Sequence, residues 1–331
     1  MSISNKSSEN NLIVSIPNKP SENNFESFKN LNVTTTTQIA IVLDTVFDLE
    51  KIYSQISEFS PDDYGIIINT KQKVASDFFQ NKIPKGTIIH AKYKDKQKGC
   101  QIKKKKKTTT YGKRNFFLNA ICMVVHTHKI INFKITNSKF QITGCQDTNS
   151  ALELVQIMIS KFIKYPIPCV TFKTSPQHEK FPEIEIIFNT VMTNVDFNLH
   201  FLVDRMNLDK LYSDSSEFIS ILENSFGHAG VNIKYFSKQF MNKTLTKMTS
   251  DKDSNWYISD IKYSDFIANL PQKEKEYEEK KKQIHTLLIF HSGKGIISGP
   301  CIKEMSVVYD KFIDNLARNK VGYSIEEKLD V

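Results

Sequence analysis

The sequence has few of the residues that build covalent frameworks or nucleotide-binding loops. Its five cysteines form no Cys-x-x-Cys pair, and their odd number favours neither a disulfide framework nor a zinc site. Its eleven glycines form no phosphate-binding loop of the P-loop type. No apolar run reaches the roughly 18 residues that a membrane-spanning helix needs, and the N-terminus does not resemble a secretory signal. We therefore expect an intracellular protein without a cofactor.

Catalytic motifs are also lacking. The chain has no Gly-x-Ser-x-Gly, no His-Glu-x-x-His and no pair of carboxylates at a catalytic spacing. His126 and His128 share one face of a predicted strand and could grip a metal ion, but no third ligand stands near them in the sequence. The sequence therefore predicts a binding protein without a metal site and not an enzyme.

Positive charge is concentrated in one segment. The chain carries a net charge of +9, and residues 92–114 alone contain eleven Lys or Arg and one acid, which leaves the remainder near neutral. Such a concentration favours contact with nucleic-acid phosphates, because each lysine can displace a condensed counterion. A nuclear-localisation signal and a solvated loop are the alternatives. The lysine run consists of Lys103, Lys104, Lys105, Lys106 and Lys107.

Several stretches of the chain occur twice in the same order. Each half contains a strand-like stretch, a short helix, further strands, a tight turn, a strand and a long helix. This self-similarity predicts two copies of one structural unit. The matched stretches are 47–54 (FDLEKIYS) with 206–213 (MNLDKLYS), 86–93 with 230–235, and 134–144 with 289–299.

Each half is predicted to end in an amphipathic helix. Asn149 or Ser150 is the predicted N-cap of the first helix. Apolar residues at helical spacing give both helices one face for a core. These residues are Ala151, Leu154, Val155, Met158 and Phe162 in the first helix, and Met305, Val308, Tyr309, Phe312, Ile313 and Leu316 in the second.

The composition also divides the chain into segments. Residues 1–29 are polar and are expected to be a disordered tail. The second insertion ends in a mixed-charge stretch that is typical of a solvated helix. The predicted divisions are a first repeat at 30–165 with a basic insertion at about 94–116, a linker at 166–181, a second repeat at 182–320 with an insertion at about 237–282, and a C-terminal tail at 321–331.

Residues 287–299 (LLIFHSGKGIISG) resemble the repeat of the TATA-box-binding protein family. The shared pattern is Phe-x-Ser-Gly-Lys, then an apolar strand that ends in Ser/Thr-Gly, then a long helix. Residues 43–51 look like the strand-to-helix junction of the same repeat, and the likeness extends over about 32–165 and 182–320. The lysine insertion and residues 132–145 look most like the divergent members of the family in giant DNA viruses.

This resemblance implies an α+β fold in which two pseudo-symmetric repeats form a curved antiparallel sheet, or saddle, with long helices on its convex face. It implies DNA binding in transcription initiation, with an A·T-rich promoter on the concave face and polymerase-associated transcription factors on the helical side. The expected location is the nucleus, or the viral factory or virion for a viral protein.

The resemblance also implies a set of DNA-contacting residues. In this family, phenylalanine wedges enter base steps, and small polar or apolar side chains contact the minor groove. Phe290 matches a wedge. The groove-contact positions match Ile296, Ser298, Asn189 and Val191 in the second repeat, and Gln141, Thr143, Thr36 and Gln38 in the first.

The sequence departs from the family at the other wedges. Ile135 is the expected counterpart of Phe290, and the remaining wedges fall near Pro84 or Lys85 and near His228. Phe116 and Phe117 could substitute if the basic insertion forms a strand. Two alternatives therefore stay open, which are a saddle-shaped protein-interaction scaffold and a general nucleic-acid packaging protein without TATA specificity.

Overall fold

A large antiparallel β-sheet is the main element of the fold. The structure, a computed structural model, describes residues 25–64, 83–100, 117–173, 183–222, 230–237, 243–280 and 283–319. Within these ranges, 13 strands join one sheet, while β2 (Thr45–Phe47) and β8 (Val170–Phe172) pair separately. The strands of the large sheet are β1 (Val33–Val42), β3 (Ile88–Tyr93), β4 (Lys96–Gly99), β5 (Ile121–His126), β6 (Ile130–Ile135), β7 (Lys139–Cys145), β9 (Glu185–Asn198), β10 (Phe218–Leu222), β11 (Val231–Ser237), β12 (Thr244–Ser250), β13 (Trp256–Lys262), β14 (Gln283–Ile289) and β15 (Lys294–Gly299).

Strands β1 and β9 pair with each other at the centre of the sheet. Outward from β1 lie β7, β6, β5, β3 and β4, which with β1 make the first half of the sheet. Outward from β9 lie β15, β14, β11 and β10, which with β9 make the second half. Residues 86–93 and 230–235, matched in the sequence, form β3 and β11, which stand at different distances from the centre.

Six α-helices accompany the strands in the part of the chain that the structure describes. The two long ones, α2 and α6, pack on one face of the sheet, which we call the covered face. Within the described residues, no helix is long and apolar enough to span a membrane. The helices are α1 (Leu49–Gln55), α2 (Thr148–Ile163), α3 (Arg205–Ser213), α4 (Tyr263–Ala268), α5 (Gln272–Lys280) and α6 (Ile302–Arg318).

Two hydrophobic cores lie between the covered face and the long helices. In the first half, Leu154 and Met158 of α2 join Phe133 and Phe140 of the sheet. In the second half, Phe312 of α6 stacks on Tyr212 of α3, and the Tyr212 hydroxyl donates to the Phe312 carbonyl at 2.6 Å. The predicted apolar faces of both helices are confirmed, since every predicted residue belongs to a core or packs against one.

The beginning of α2 differs from the prediction. Asp147 is its N-cap, and the Asp147 carboxylate accepts the backbone N–H of Ser150 at 2.7 Å. The predicted caps, Asn149 and Ser150, lie inside the first turn. A carboxylate one residue before the helix satisfies an N–H that has no partner within the helix.

Three register shifts interrupt the pairing of β1 with β9 and β7, one of them between Val33 and Thr35. Thr37 pairs with Met192 while Gln38 pairs with Thr190, so Val191 is an extra residue in β9. In β7, Gly144 is extra beside Thr36, and its φ of +113° is a conformation that favours glycine. An extra residue reverses the alternation of side chains between the two faces.

The second insertion adds structure of its own. The hairpin of β12 and β13 attaches to the beginning of β9, and α4 and α5 follow it. Helix α5 is highly charged and has no buried residue, which confirms the predicted solvated helix.

Candidate nucleic-acid interface

The face of the sheet opposite α2 and α6 is the candidate interface, and we call it the open face. Side chains along a strand alternate between the two faces, so the neighbours of buried core residues lie on the open face. In β7, Phe140 and Ile142 are fully buried toward α2, so Gln141 and Thr143 between and after them point to the other side. In β15, Ile297 is fully buried toward α6, so its neighbours likewise belong to the open face.

In the first half, the open face is polar and holds a shallow depression of about 280 Å³. The side-chain amides of Asn132 and Gln141 have no hydrogen bond to another described residue, so both are available to a ligand. The open-face residues of this half include Thr37, Ile39, His90, Lys92, Cys122, Val124, Asn132, Lys134, Lys139, Gln141 and Thr143.

In the second half, the open face is more apolar. Ile219 and Ile221 of the edge strand β10 are about half exposed. The open-face residues of this half include Asn194, Asp196, Ile219, Ile221, Asn232, Lys234, Thr286, Leu288, Lys294, Ile296 and Ser298.

Electrostatics favour a polyanion on this face. Among the open-face residues just given, five are lysines and one, Asp196, is a carboxylate. Burial lowers the pKa of His90 below its ordinary value, and nearby Lys92 acts in the same direction, so the imidazole is neutral at pH 7. Burial also raises the pKa of the Cys122 thiol, which therefore carries no charge. The positive charge comes from the lysines alone.

Five predicted site residues lie on the open face. Gln141 and Thr143 of β7, and Ile296 and Ser298 of β15, occupy the central region on either side of β1 and β9. Asn189 also faces this side, and its side-chain oxygen accepts a hydrogen bond from the ammonium group of Lys243 at 2.7 Å.

The predictions for Thr36 and Gln38 are wrong. Both side chains lie on the covered face, where Thr36 donates to the Cys145 carbonyl at 3.0 Å and Gln38 donates to Thr148 of α2 at 3.2 Å. Their exposures of 5% and 1% leave no surface for DNA. The open-face residues of this strand are Thr37 and Ile39, one position later in each case.

The remaining predicted residues lie in a bulge, in a turn, in the first core or outside the described residues. Val191 is the bulge residue of β9, and Met192 beside it is exposed on the open face. Phe290 is half-buried in the turn between β14 and β15. Ile135, the expected counterpart of Phe290, is fully buried in the first core. The lysines at 103–107 lie outside the described residues, as do Phe116 and His228.

Part of the open face is occupied by the chain itself. Ile41 and Ile187 alternate with core residues, so they face the open side at one end of β1 and β9. There they pack against Tyr263, Phe266 and Ile267 of α4. The Tyr263 hydroxyl donates to Glu278 of α5 at 2.6 Å, which ties the two helices together. Nothing in the sequence repeats predicted this contact, since α4 belongs to the unmatched insertion.

Sequence reasoning also missed open-face residues. Lys92, Asn132 and Lys134 alternate with buried Tyr93, Ile131 and Phe133 along their strands. Lys134 lies over the ring of Phe117 at 4.2 Å. The sequence pattern that could have identified these residues is a polar residue at every second position of a predicted strand. Such alternation indicates the solvent side of a half-buried sheet.

Within the described residues, no three His, Cys, Asp or Glu side chains lie close enough together to hold a metal ion. His126 is buried at the end of β5, whereas His128 is exposed in the following turn. Burial lowers the pKa of His126.

Comparisons with known proteins give no family. No protein-family model matches the sequence, and no curated protein matches it.

Proposed function

We propose that this protein binds the minor groove of A·T-rich DNA with its open face and acts in transcription initiation, as members of the TATA-box-binding protein family do. In this proposal the two halves of the sheet are pseudo-symmetric repeats of one saddle. The observation that carries the proposal is an uncovered, lysine-bearing sheet face on which small polar and apolar residues stand at matching places in the two halves.

The strand order supports two repeats. Outward from β1, the strands β7, β6, β5 and β3 come progressively earlier in the chain. Outward from β9, the strands β15, β14, β11 and β10 also come progressively earlier. A short helix follows each central strand, and a long helix follows each of β7 and β15. In this arrangement β3 corresponds to β10, which revises the match of residues 86–93 with 230–235.

Hydrogen bonds at the centre support the same correspondence. Thr37 pairs with Thr143 across β1 and β7, and their hydroxyls are 3.2 Å apart. Asn194 pairs with Ser298 across β9 and β15, and the Ser298 hydroxyl donates to the Asn194 amide at 2.7 Å. A polar pair therefore stands at the same place in each half.

The composition of the open face supports minor-groove contact. The minor groove of A·T pairs offers only acceptors and no distinguishing donor, so it is contacted by apolar groups and by hydroxyl and amide donors. Gln141, Thr143, Ile296 and Ser298 are residues of these types. Lysines at the margins add phosphate affinity that falls as salt rises.

The helical side offers a second surface, on which other proteins would bind. Ile302 and Val307 of α6 are about half exposed on the side away from the DNA face. Polymerase-associated transcription factors are the proposed partners there, while the lysine run would add phosphate contacts beside the saddle.

The test is a binding measurement with an A·T-rich and a G·C-rich duplex at two salt concentrations, with energy transfer between the duplex ends as a bend readout. We expect the A·T-rich duplex to bind tighter by roughly tenfold or more and to bend, at both salt concentrations. Weak, equal binding that disappears with salt would overturn minor-groove recognition and leave a general nucleic-acid-binding protein.

A protein-interaction scaffold is the second candidate. The contact of α4 with Ile41 and Ile187 favours it, because this contact removes part of the open face from DNA. Absence of binding to both duplexes, in a protein that melts cooperatively, would favour the scaffold.

A further inference from the structure

The shallow depression in the first half of the open face lies over the strand β5. Its floor is formed by Cys122 and Val124, two short side chains between the longer ones of β3 and β6. The volume of the depression is about 280 Å³. Small-ligand pockets measure roughly 300–1,000 Å³, so the depression is at the lower end of this range and suits one small ligand.

Two lysines stand on opposite sides of this floor. Lys92 of β3 pairs with Cys122, and Cys122 pairs with Lys134 of β6, so two strand spacings, or roughly 10 Å, separate the backbones of the two lysines. The ring of Phe117 lies 4.2 Å from the ammonium group of Lys134 and helps to hold it in place.

The depression contains no opposing negative charge. Among the described residues that line it, none is a carboxylate. Burial raises the pKa of the Cys122 thiol, which is therefore uncharged at pH 7. The depression thus favours an anionic ligand.

Two side-chain amides add directional hydrogen-bonding groups. Asn132 of β6 is exposed and Gln141 of β7 is half-buried, and neither amide is hydrogen-bonded to another described residue. A side-chain amide carries both donors and an acceptor. Asn and Gln therefore pair with the edge of adenine through two hydrogen bonds at once.

The strand register places an amide beside a lysine. Gln141 pairs with Lys134 across β6 and β7, and Asn132 stands two residues before Lys134 on the same face. A ligand that meets all of these groups carries an anionic group next to a flat ring with donors and acceptors on its edge. A nucleotide has both parts.

We propose that this depression binds one unpaired adenine nucleotide. The base lies on the floor against the amides of Asn132 and Gln141, and the phosphate lies between Lys92 and Lys134. A free nucleotide and a nucleotide of a single strand both supply these groups, because their bases are not held in a duplex. The site goes beyond the proposed function and does not depend on duplex binding.

The first experiment titrates the full-length protein with AMP, adenosine, ribose phosphate and UMP by isothermal titration calorimetry. AMP should bind roughly tenfold tighter than adenosine or ribose phosphate, since AMP alone of the three carries both the base and the phosphate. UMP should bind more weakly than AMP, because its base lacks the edge with which an amide pairs twice.

A single strand of about five deoxyadenosines distinguishes the two sources of the nucleotide. If the strand binds at least tenfold tighter than AMP, single-stranded nucleic acid is the ligand. If the strand binds as AMP does or more weakly, the free nucleotide is the ligand.

Two variants of similar shape test the two kinds of contact separately. Lys134→Met should weaken AMP binding roughly tenfold and leave adenosine binding unchanged, because only the phosphate meets the ammonium group. Gln141→Met should weaken the binding of AMP and of adenosine alike, by roughly fivefold. The control is Lys234→Met, which removes the same charge from the second half of the open face and should change neither affinity. Thermal melting checks that all three variants fold.

The outcomes separate this site from the proposed function. Absence of AMP binding, ribose phosphate that binds as tightly as AMP, or equal weakening by Lys134→Met and Lys234→Met would overturn the site. An A·T-rich duplex that binds to a protein without affinity for AMP would leave the proposed function intact. Binding of AMP with the expected variant effects, but of no duplex, would uphold the site and overturn the proposed function.

Discussion

His285 is an ionisable side chain enclosed in the second core, where it is fully buried in β14. Its Nε2 lies 3.7 Å from the Glu304 carboxylate of α6. Burial lowers the pKa of His285 below its ordinary value and outweighs the opposing effect of Glu304 and of the Cys301 backbone. The imidazole is therefore neutral in the folded protein at pH 7.

This residue makes stability depend on pH. Below the ordinary histidine pKa of about 6.5, the unfolded chain binds a proton at His285 that the folded chain does not, so the free energy of unfolding decreases as pH falls. We expect His285→Gln to reduce the loss of stability between pH 7.5 and pH 5.5, measured by urea unfolding. His128→Gln is the control, since His128 is exposed. Equal pH profiles for the unmodified protein and His285→Gln would contradict this account.

Individual site residues were only partly predictable from the sequence. Gln141, Thr143, Ile296 and Ser298 face the predicted side because alternation in β7 and β15 holds over those residues. Thr36 and Gln38 do not face the predicted side. The run of threonines in β1 gives no sign of which residue faces the core. Bulges at Gly144 and Val191 reset the alternation, and they depend on pairing between distant strands.

At the scale of elements, the N-cap of α2 is the most directly testable feature. The Asp147 carboxylate accepts the Ser150 N–H, and this bond is the main reason why the pKa of Asp147 is lowered. Its stabilising effect is present above the ordinary aspartate pKa and is lost as pH falls through the folded value.

Removing this cap should destabilise the fold without affecting the open face. We expect Asp147→Ala to lower the free energy of unfolding by about 1 kcal/mol at pH 7, while Asp147→Asn retains most of the stability. Urea unfolding measures both values. If Asp147→Ala is as stable as Asp147→Asn, capping by this side chain does not stabilise α2.

Elements with strong periodicity were predictable, and elements set by tertiary contacts were not. The apolar spacing of α2 and α6 determined both helices and their buried faces. The hairpin of β12 and β13 was not predicted, because β13 is largely exposed and shows no alternation of buried residues. Its position depends on pairing of β12 with β9, a contact between residues about 60 apart in the chain.

At the scale of the whole molecule, the lysines that we propose to contact DNA have two locations. One is the set of open-face lysines, and the other is the lysine run at 103–107, which lies outside the described residues. Each lysine that contacts a phosphate releases a counterion and contributes about 0.9 to the slope of log affinity against log salt.

Replacing the five lysines of the run by alanine should therefore reduce the steepness of this slope by up to roughly 4–5, equally for all DNA sequences. The control replaces Lys273, Lys275 and Lys280 of α5, a helix without buried residues. Affinity titrations at several salt concentrations give the slopes. An unchanged slope in the first variant would show that the run does not contact phosphate.

The strand order and the continuity of the open face could not be derived from the sequence alone. Repeated stretches predicted two units and matched β3 to β11, but these strands stand at different distances from the central strands β1 and β9. In the proposed two-repeat arrangement, β3 corresponds to β10 instead. The order of the outer strands depends on hydrogen bonds between distant parts of the chain, which the sequence pattern does not specify.

The central claim, that DNA lies on the open face, is tested most directly by placing the same charge on each side of the sheet. Ser298→Glu puts a carboxylate at the centre of the open face, and Val307→Glu puts one on the exposed surface of α6, where Val307 is 54% exposed. The measurement is the affinity of the three proteins for one A·T-rich duplex. We predict that Ser298→Glu weakens binding by roughly tenfold or more, whereas Val307→Glu changes it by less than about twofold. Equal weakening by the two substitutions, or a larger effect of Val307→Glu, would contradict DNA binding on the open face.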